Sequence, residues 1–142
     1  MKILILNGPN LNLLEKRDSG NYGKMSLSGI NNALKSEFPE IDFSFFQTNC
    51  ECELIDYIQK SDIYDGLIIN PGGFTHTSVG IRDALDLLKI PKIEVHLSNL
   101  ASREDFRKNM ITTSGATGYI SGFKELSYFS AVYTLKKILL DK

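Results

Sequence analysis

A chain of 142 residues with a formal net charge of −1 and 42% hydrophobic residues suits one domain over residues 1–142, able to bury roughly two-thirds of its unfolded surface without covalent staples. So small a charge gives no long-range field to draw in nucleic acid or an anionic membrane, and the basic residues form no dense run. The two cysteines, Cys50 and Cys52, are too close for an unstrained disulfide and lack a second pair for a zinc site, so they read as reduced thiols in a cytoplasmic protein.

The chain opens with Ile3-Leu4-Ile5-Leu6, a buried strand ending in Asn7. The run is too short for a signal peptide or a spanning helix. A turn, Gly8-Pro9-Asn10-Leu11-Asn12, begins a stretch that stays polar to Gly23 and holds Asn10, Arg17 and Tyr22. It is long for a βα connection, and such loops are usually functional or mobile. Leu27, Ile30, Leu34 and Phe38 recur at helical spacing after Ser26, and Pro39 ends that first helix. Phe43 to Phe46 is the second strand, and Asn49 opens a second helix with Leu54, Ile55 and Ile58 on its apolar face.

Leu67 to Asn70 lacks polar alternation, so it reads as a strand buried on both faces, as in a parallel sheet. Pro71-Gly72-Gly73 stops it, His76 follows, and Thr77 or Ser78 caps a third helix marked by Ile81, Leu85 and Leu88. Lys92 to His96 is the fourth strand. Asn99 to Lys108 reads as a short charged helix carrying Arg103 and Arg107 on one face. Gly118 to Ser121 is a short fifth strand, and Leu126, Phe129, Val132, Leu135 and Leu139 give the last helix.

Alternating strands and helices predict an α/β domain, a flavodoxin-like three-layer sandwich around a five-stranded parallel sheet of order 2-1-3-4-5. Its topological switch point lies between strands one and three, where ligands bind. The loops after strands one, three and four meet there with Asn10, Arg17, Tyr22, Asn70, His76, His96 and Ser98. The only two histidines of the chain both fall on this edge.

Several stretches now act together: Asn7-Gly8-Pro9-Asn10-Leu11-Asn12, Arg17 with Tyr22-Gly23, Asn70-Pro71-Gly72-Gly73 through Thr75-His76-Thr77-Ser78, Arg82-Asp83-Ala84, Ile93-Glu94-Val95-His96-Leu97-Ser98-Asn99, and Arg103-Glu104-Asp105-Phe106-Arg107. In this order and spacing the chain resembles the type II 3-dehydroquinate dehydratases. The resemblance implies a cytoplasmic, cofactor-free hydro-lyase of the shikimate pathway (aromatic amino-acid biosynthesis) that dehydrates 3-dehydroquinate to 3-dehydroshikimate through an enolate. It also implies a homo-oligomer, a dodecamer built from trimers, with small-molecule substrate and neither nucleic acid nor membrane as partner.

On that resemblance Tyr22 is the base that takes the proton beside the ketone, and Arg17 is the cation that favours its phenolate. A tyrosine ordinarily ionises near pH 10, so such help is required. Asn10 holds a water at the developing oxyanion, the kind of donor that often gives the largest catalytic effect. His96 protonates the departing hydroxyl. Glu94, two residues earlier on the same strand, shares its face and orients the ring. A carboxylate inside an apolar strand needs such a partner. Leu97 and Ser98 bind the substrate carboxylate; Asn70, His76 and Arg107 hold ring hydroxyls, with Arg103 ranked below Arg107; Asp83 reaches the site of a neighbouring subunit.

The chain departs from the family pattern at Glu15 and Ser19, where glycine and proline are usual, at Cys52, and in Lys124-Glu125-Leu126-Ser127, which lacks the usual glycines. The first two bear on loop closure; the others are expected to lie away from the catalytic groups. A flavodoxin-like flavin-binding electron carrier is the alternative for this fold class, but it wants a Ser/Thr-rich phosphate loop after strand one. A receiver domain wants aspartates where Asn7 and Asn70 stand. No G-x-S-x-G follows a strand, as a serine hydrolase would require.

Overall fold

The structure is a computed structural model and describes residues 1–141. Its sheet is parallel throughout, with the order β2-β1-β3-β4-β5 that the sequence predicts. The strands are β1 (Lys2–Asn7), β2 (Asp42–Gln47), β3 (Gly66–Asn70), β4 (Lys92–His96) and β5 (Gly118–Ser121). The helices are α1 (Ser19–Tyr22), α2 (Leu27–Glu37), α3 (Glu51–Gln59), α4 (Val79–Leu87) and α5 (Leu126–Leu140).

Both faces of the central strands are covered, which is why β1 and β3 show no polar alternation. Side chains still alternate between two cores. Ile3, Ile5 and Ile68 pack under α2 and α5 with Ile30, Leu34, Val132 and Leu135. Leu4, Leu6, Leu67 and Ile69 face α3 and α4 with Leu54, Ile58, Ile81 and Leu85. Each such aliphatic side chain, fully removed from water, contributes roughly 1.5–3 kcal/mol before chain entropy is counted.

Caps set several helix starts. Ser26 accepts from the Gly29 N–H at 3.1 Å, and Ser78 accepts from the Ile81 N–H at 2.9 Å. Of the two residues considered for the start of α4, Ser78 is therefore the cap. Asn49 does not open α3. Cys50 is its N-cap and makes no side-chain cap bond, while the Asn49 side chain is turned toward the loop after β1.

Two further expectations are corrected. The stretch after β1 is not irregular: Leu11–Lys16 forms 3-10 turns and Ser19–Tyr22 one α-helical turn. Leu11 and Leu14 are buried in the core under the α2 and α5 face, so apolar burial folds this segment onto the sheet edge. The segment 99–108 is not one charged helix. It is two 3-10 turns, Leu100–Ser102 and Asp105–Lys108, broken by extended backbone at Arg103. Arg103 and Arg107 therefore do not share a helix face: both reach Glu104, but of the two only Arg103 also bonds Tyr22 and Ser98.

Candidate active site

The loops after β1, β3 and β4 converge at the switch point on a pocket of about 120 Å3. Asn10, Arg17, Tyr22, Asn70, His76, His96, Leu97, Ser98, Arg103 and Arg107 line it. The convergence needs a glycine at position 8. A Cβ there would sit 2.6 Å from the Pro71 carbonyl oxygen, so any larger residue would push the first loop off the third.

One wall is cationic. Tyr22 ends α1 and is 9% exposed. Its hydroxyl accepts hydrogen bonds from the guanidinium groups of Arg17 and Arg103. The Arg17 guanidinium also lies over the ring, 3.6 Å from its centroid, with Arg103 at 5.3 Å. Burial, together with repulsion from Arg103 and Arg107, lowers the Arg17 pKa, while Tyr22 opposes the shift. One N–H from each of two guanidinium groups is thus aimed at the same phenol oxygen.

Arg103 is the residue that sequence reasoning underrated. Its side chain is 14% exposed and also donates to the Ser98 hydroxyl at 3.2 Å. Arg107 lines the pocket too; its Nε bonds Glu104 at 2.7 Å, a carboxylate that Arg103 Nε also approaches at 3.4 Å, and of the two only Arg103 reaches Tyr22. Treating the segment as one helix hid this difference. The extended residue that breaks it turns the Arg103 side chain toward Tyr22.

The opposite wall is anionic underneath. His96 ends β4, and its Nε2 bonds Glu94 Oε1 at 2.7 Å. His96 lines the pocket, and Nδ1 is the ring nitrogen that this bond leaves free. Glu94 has no exposure. Its carboxylate is satisfied from three directions besides His96: Thr75 and Thr113 donate to Oε1 at 2.7 and 2.9 Å, and Thr112 donates to Oε2 at 2.8 Å. Burial pushes the Glu94 pKa up, but the bonds from His96, Thr75 and Thr112 more than offset it and hold the carboxyl below its ordinary range. The sequence reading required a partner for Glu94 and named His96; the threonine cradle it did not contain.

The remaining candidates are placed as follows. Asn70 is 2% exposed; its amide donates to the Tyr128 hydroxyl at 3.1 Å and its Oδ1 accepts from the Gly72 N–H at 3.1 Å. The Tyr128 hydroxyl in turn donates to Asn7 Oδ1, so a buried phenol of α5 links the ends of β1 and β3. Full burial raises the Tyr128 pKa and keeps it neutral. His76 Nδ1 meets the Asn109 carbonyl oxygen at 2.8 Å, and burial lowers its pKa. Asn10 makes no side-chain cap bond, so its amide is available to the pocket it lines. Asp83 is exposed on α4 and does not line the pocket of its own chain.

The Lys124–Ser127 segment is closer to the catalytic groups than expected. A Cβ on Gly23, which has φ +82°, would collide with Glu125 Oε2. The segment therefore abuts the residue that follows Tyr22. Lys124 itself takes a left-handed φ of 53°, a conformation in which glycine is ordinarily preferred. Among the described residues, no cluster of three or more His, Cys, Asp or Glu could hold a metal.

Residues 1–136 match the family model described as Dehydroquinase class II. The chain belongs to the class II dehydroquinases. The chain is 45% identical to a 3-dehydroquinate dehydratase from Fusobacterium nucleatum, covering 95% of this chain and 96% of that protein. It is 43% identical to one from Thermotoga petrophila, covering 98% and 97%. The crystal structure of a type II dehydroquinase from Butyrivibrio crossotus superposes with a TM-score of 0.92 at 40% identity, over 96% of this chain and 97% of that one. That of Propionibacterium acnes gives 0.89 at 33% identity, over 98% and 96%. The family match sets aside the flavin-carrier reading. The dehydroquinase chain also carries free, exposed thiols at Cys50 and Cys52, and no helix among its described residues is long and apolar enough to cross a membrane.

Proposed function

We propose that the protein dehydrates 3-dehydroquinate to 3-dehydroshikimate, a hydro-lyase step of the shikimate pathway. One observation carries the reading: a phenol held by two cations faces, across one pocket, an imidazole backed by a buried carboxylate. Such opposed environments suit a base and an acid working on one substrate.

Tyr22, as phenolate, removes the proton from the carbon beside the ketone. The electron pair moves to the carbonyl oxygen, giving an enolate. Asn10 stabilises that oxygen through a held water. When the enolate collapses, the new carbon–carbon double bond forms, the carbon–hydroxyl bond breaks, and His96 delivers its proton so that the group leaves as water. Glu94 orients the imidazole and stabilises its cation. Leu97 and Ser98 receive the substrate carboxylate, successive strand-end amides being suited to an anion. Asn70, His76 and Arg107 hold the ring hydroxyls.

The working protein is a cytoplasmic homo-oligomer, a dodecamer built from trimers, in which the single catalytic domain lends Asp83 to a neighbouring pocket. The position of Asp83 on an exposed helix face supports this role. Light scattering on active enzyme tests it: a fully active monomer would refute the role of Asp83. The activity itself is tested by mixing purified protein with 3-dehydroquinate and following the ultraviolet absorbance of the conjugated enone. The rise should survive chelator and borohydride. No enone, or loss of activity with borohydride in the presence of substrate, would sink the reading.

A further inference from the structure

Asn10 holds a backbone conformation that residues other than glycine rarely adopt, φ 68° and ψ −1°. Its side chain makes no local cap bond to repay that geometry. The support comes from the segment that follows β2. The Asn10 N–H donates to Asn49 Oδ1 at 3.1 Å. Gln47 Nε2 donates to the same oxygen at 3.1 Å and to the Gly8 carbonyl oxygen at 3.2 Å. The two amide protons of Gln47 and the two lone pairs of Asn49 Oδ1 are thus all used on one turn. From the other side the Gly8 N–H donates to the Asn70 carbonyl oxygen at 2.8 Å. Gly8-Pro9-Asn10 is clamped between the loops after β2 and β3.

Neither Gln47 nor Asn49 lines the pocket. The chemistry of this clamp is therefore indirect. Rotating the backbone at Asn10 out of the left-handed region redirects its Cα–Cβ bond, and with it the amide that would hold the oxyanion's water. An error of about 1 Å at such a group can cost a hundredfold in rate.

We propose that Asn49, braced by Gln47, is a positioning residue that sets the backbone of Asn10 and so aims its amide at the developing oxyanion. This rests on the oxyanion role proposed above for Asn10. The clamp should act on the transition state and leave substrate affinity alone, because the oxygen carries its full charge only in the enolate.

The test compares Asn49→Ala with Asn49→Asp, which keeps an acceptor oxygen for both N–H groups. Asn49 is exposed, so both variants should fold and keep the wild-type melting temperature within a few degrees. For Asn49→Ala, kcat should fall roughly ten- to hundredfold with KM unchanged. The primary isotope effect on the abstracted proton should rise. In a crystal structure of Asn49→Ala, Asn10 should leave the left-handed region; Asn49→Asp should recover most of kcat and restore the backbone. Wild-type kcat in Asn49→Ala, or a slowed enzyme whose Asn10 backbone is unmoved, would overturn the proposal. If wild-type protein forms no enone, the functional reading fails by itself, and the Asn10 backbone in the variant still decides whether the clamp exists.

Discussion

The two walls of the pocket solve opposite electrostatic problems with different parts of the fold. Tyr22 stands on a helical turn inside a loop, and its polar partners, Arg17 and Arg103, are extended residues that follow two other short helical turns. His96 stands at the end of a central strand, and its partner Glu94 is two residues away on the same strand. Two cations meet the phenol oxygen on the loop wall; a buried carboxylate backs the imidazole on the strand wall. The loop wall can be disturbed by moving any of several turns. The strand wall is fixed by the sheet and by three threonine hydroxyls.

Tyr22→Phe should give the largest effect. It removes the oxygen that both arginines address and should lower turnover by a thousandfold or more at every pH, roughly the upper range for one acid–base group. Bound substrate analogues, measured by calorimetry, should keep near-wild-type affinity. Retained turnover would place the base elsewhere and erase the contrast between the walls.

Arg103→Gln comes next. It removes one of the two donors from the Tyr22 hydroxyl, and kcat should fall about a hundredfold, the scale of losing one donor at a developing charge. Arg107→Gln should instead raise KM with little change in kcat. If the two variants behave alike, Arg103 is a binding residue and the cationic wall is Arg17 alone.

The smallest effect belongs to Glu94. Glu94→Gln keeps an acceptor for the His96 ring and loses the charge, a difference of about 1 kcal/mol, so kcat should fall roughly fivefold. The Glu94 carboxyl is held below its ordinary value. Its contribution to stability is then fully present above the unfolded value of about pH 4.3 and is lost as pH falls through the folded value. The melting-temperature gap between wild type and Glu94→Gln should shrink across that acidic window. A gap that widened toward low pH would mean that Glu94 is buried as the neutral acid.

The strand wall was the more legible one in the sequence. Lys92–His96 and Gly118–Ser121 carry their full patterns locally, and both strands stand where the sequence put them. The alternation of β1 and β3 between two cores also follows from uninterrupted apolar runs. The Glu94–His96 spacing placed the carboxylate and the imidazole on one face without any tertiary knowledge. Arg103 was not legible in that way: Leu100 to Lys108 has enough polar and charged residues to look like a solvated helix. Extended backbone at Arg103 divides it, and from there the side chain reaches Tyr22. The threonines at 75, 112 and 113 reach Glu94 across the sheet edge, and no local periodicity marks them. Asn49 was read as a helix opener because asparagine caps helices well; its side chain is instead engaged by the Asn10 turn.

The claim that the walls serve different halves of the reaction is tested most directly by substrate proton exchange in D2O with His96→Ala. Loss of His96 should cut turnover by roughly a hundredfold or more, while deuterium still enters the substrate beside the ketone at a rate much closer to that of wild type, because Tyr22 and its two arginines remain intact. If exchange and turnover fall in parallel, His96 acts in proton abstraction as well, and the division of labour between loop and strand is wrong.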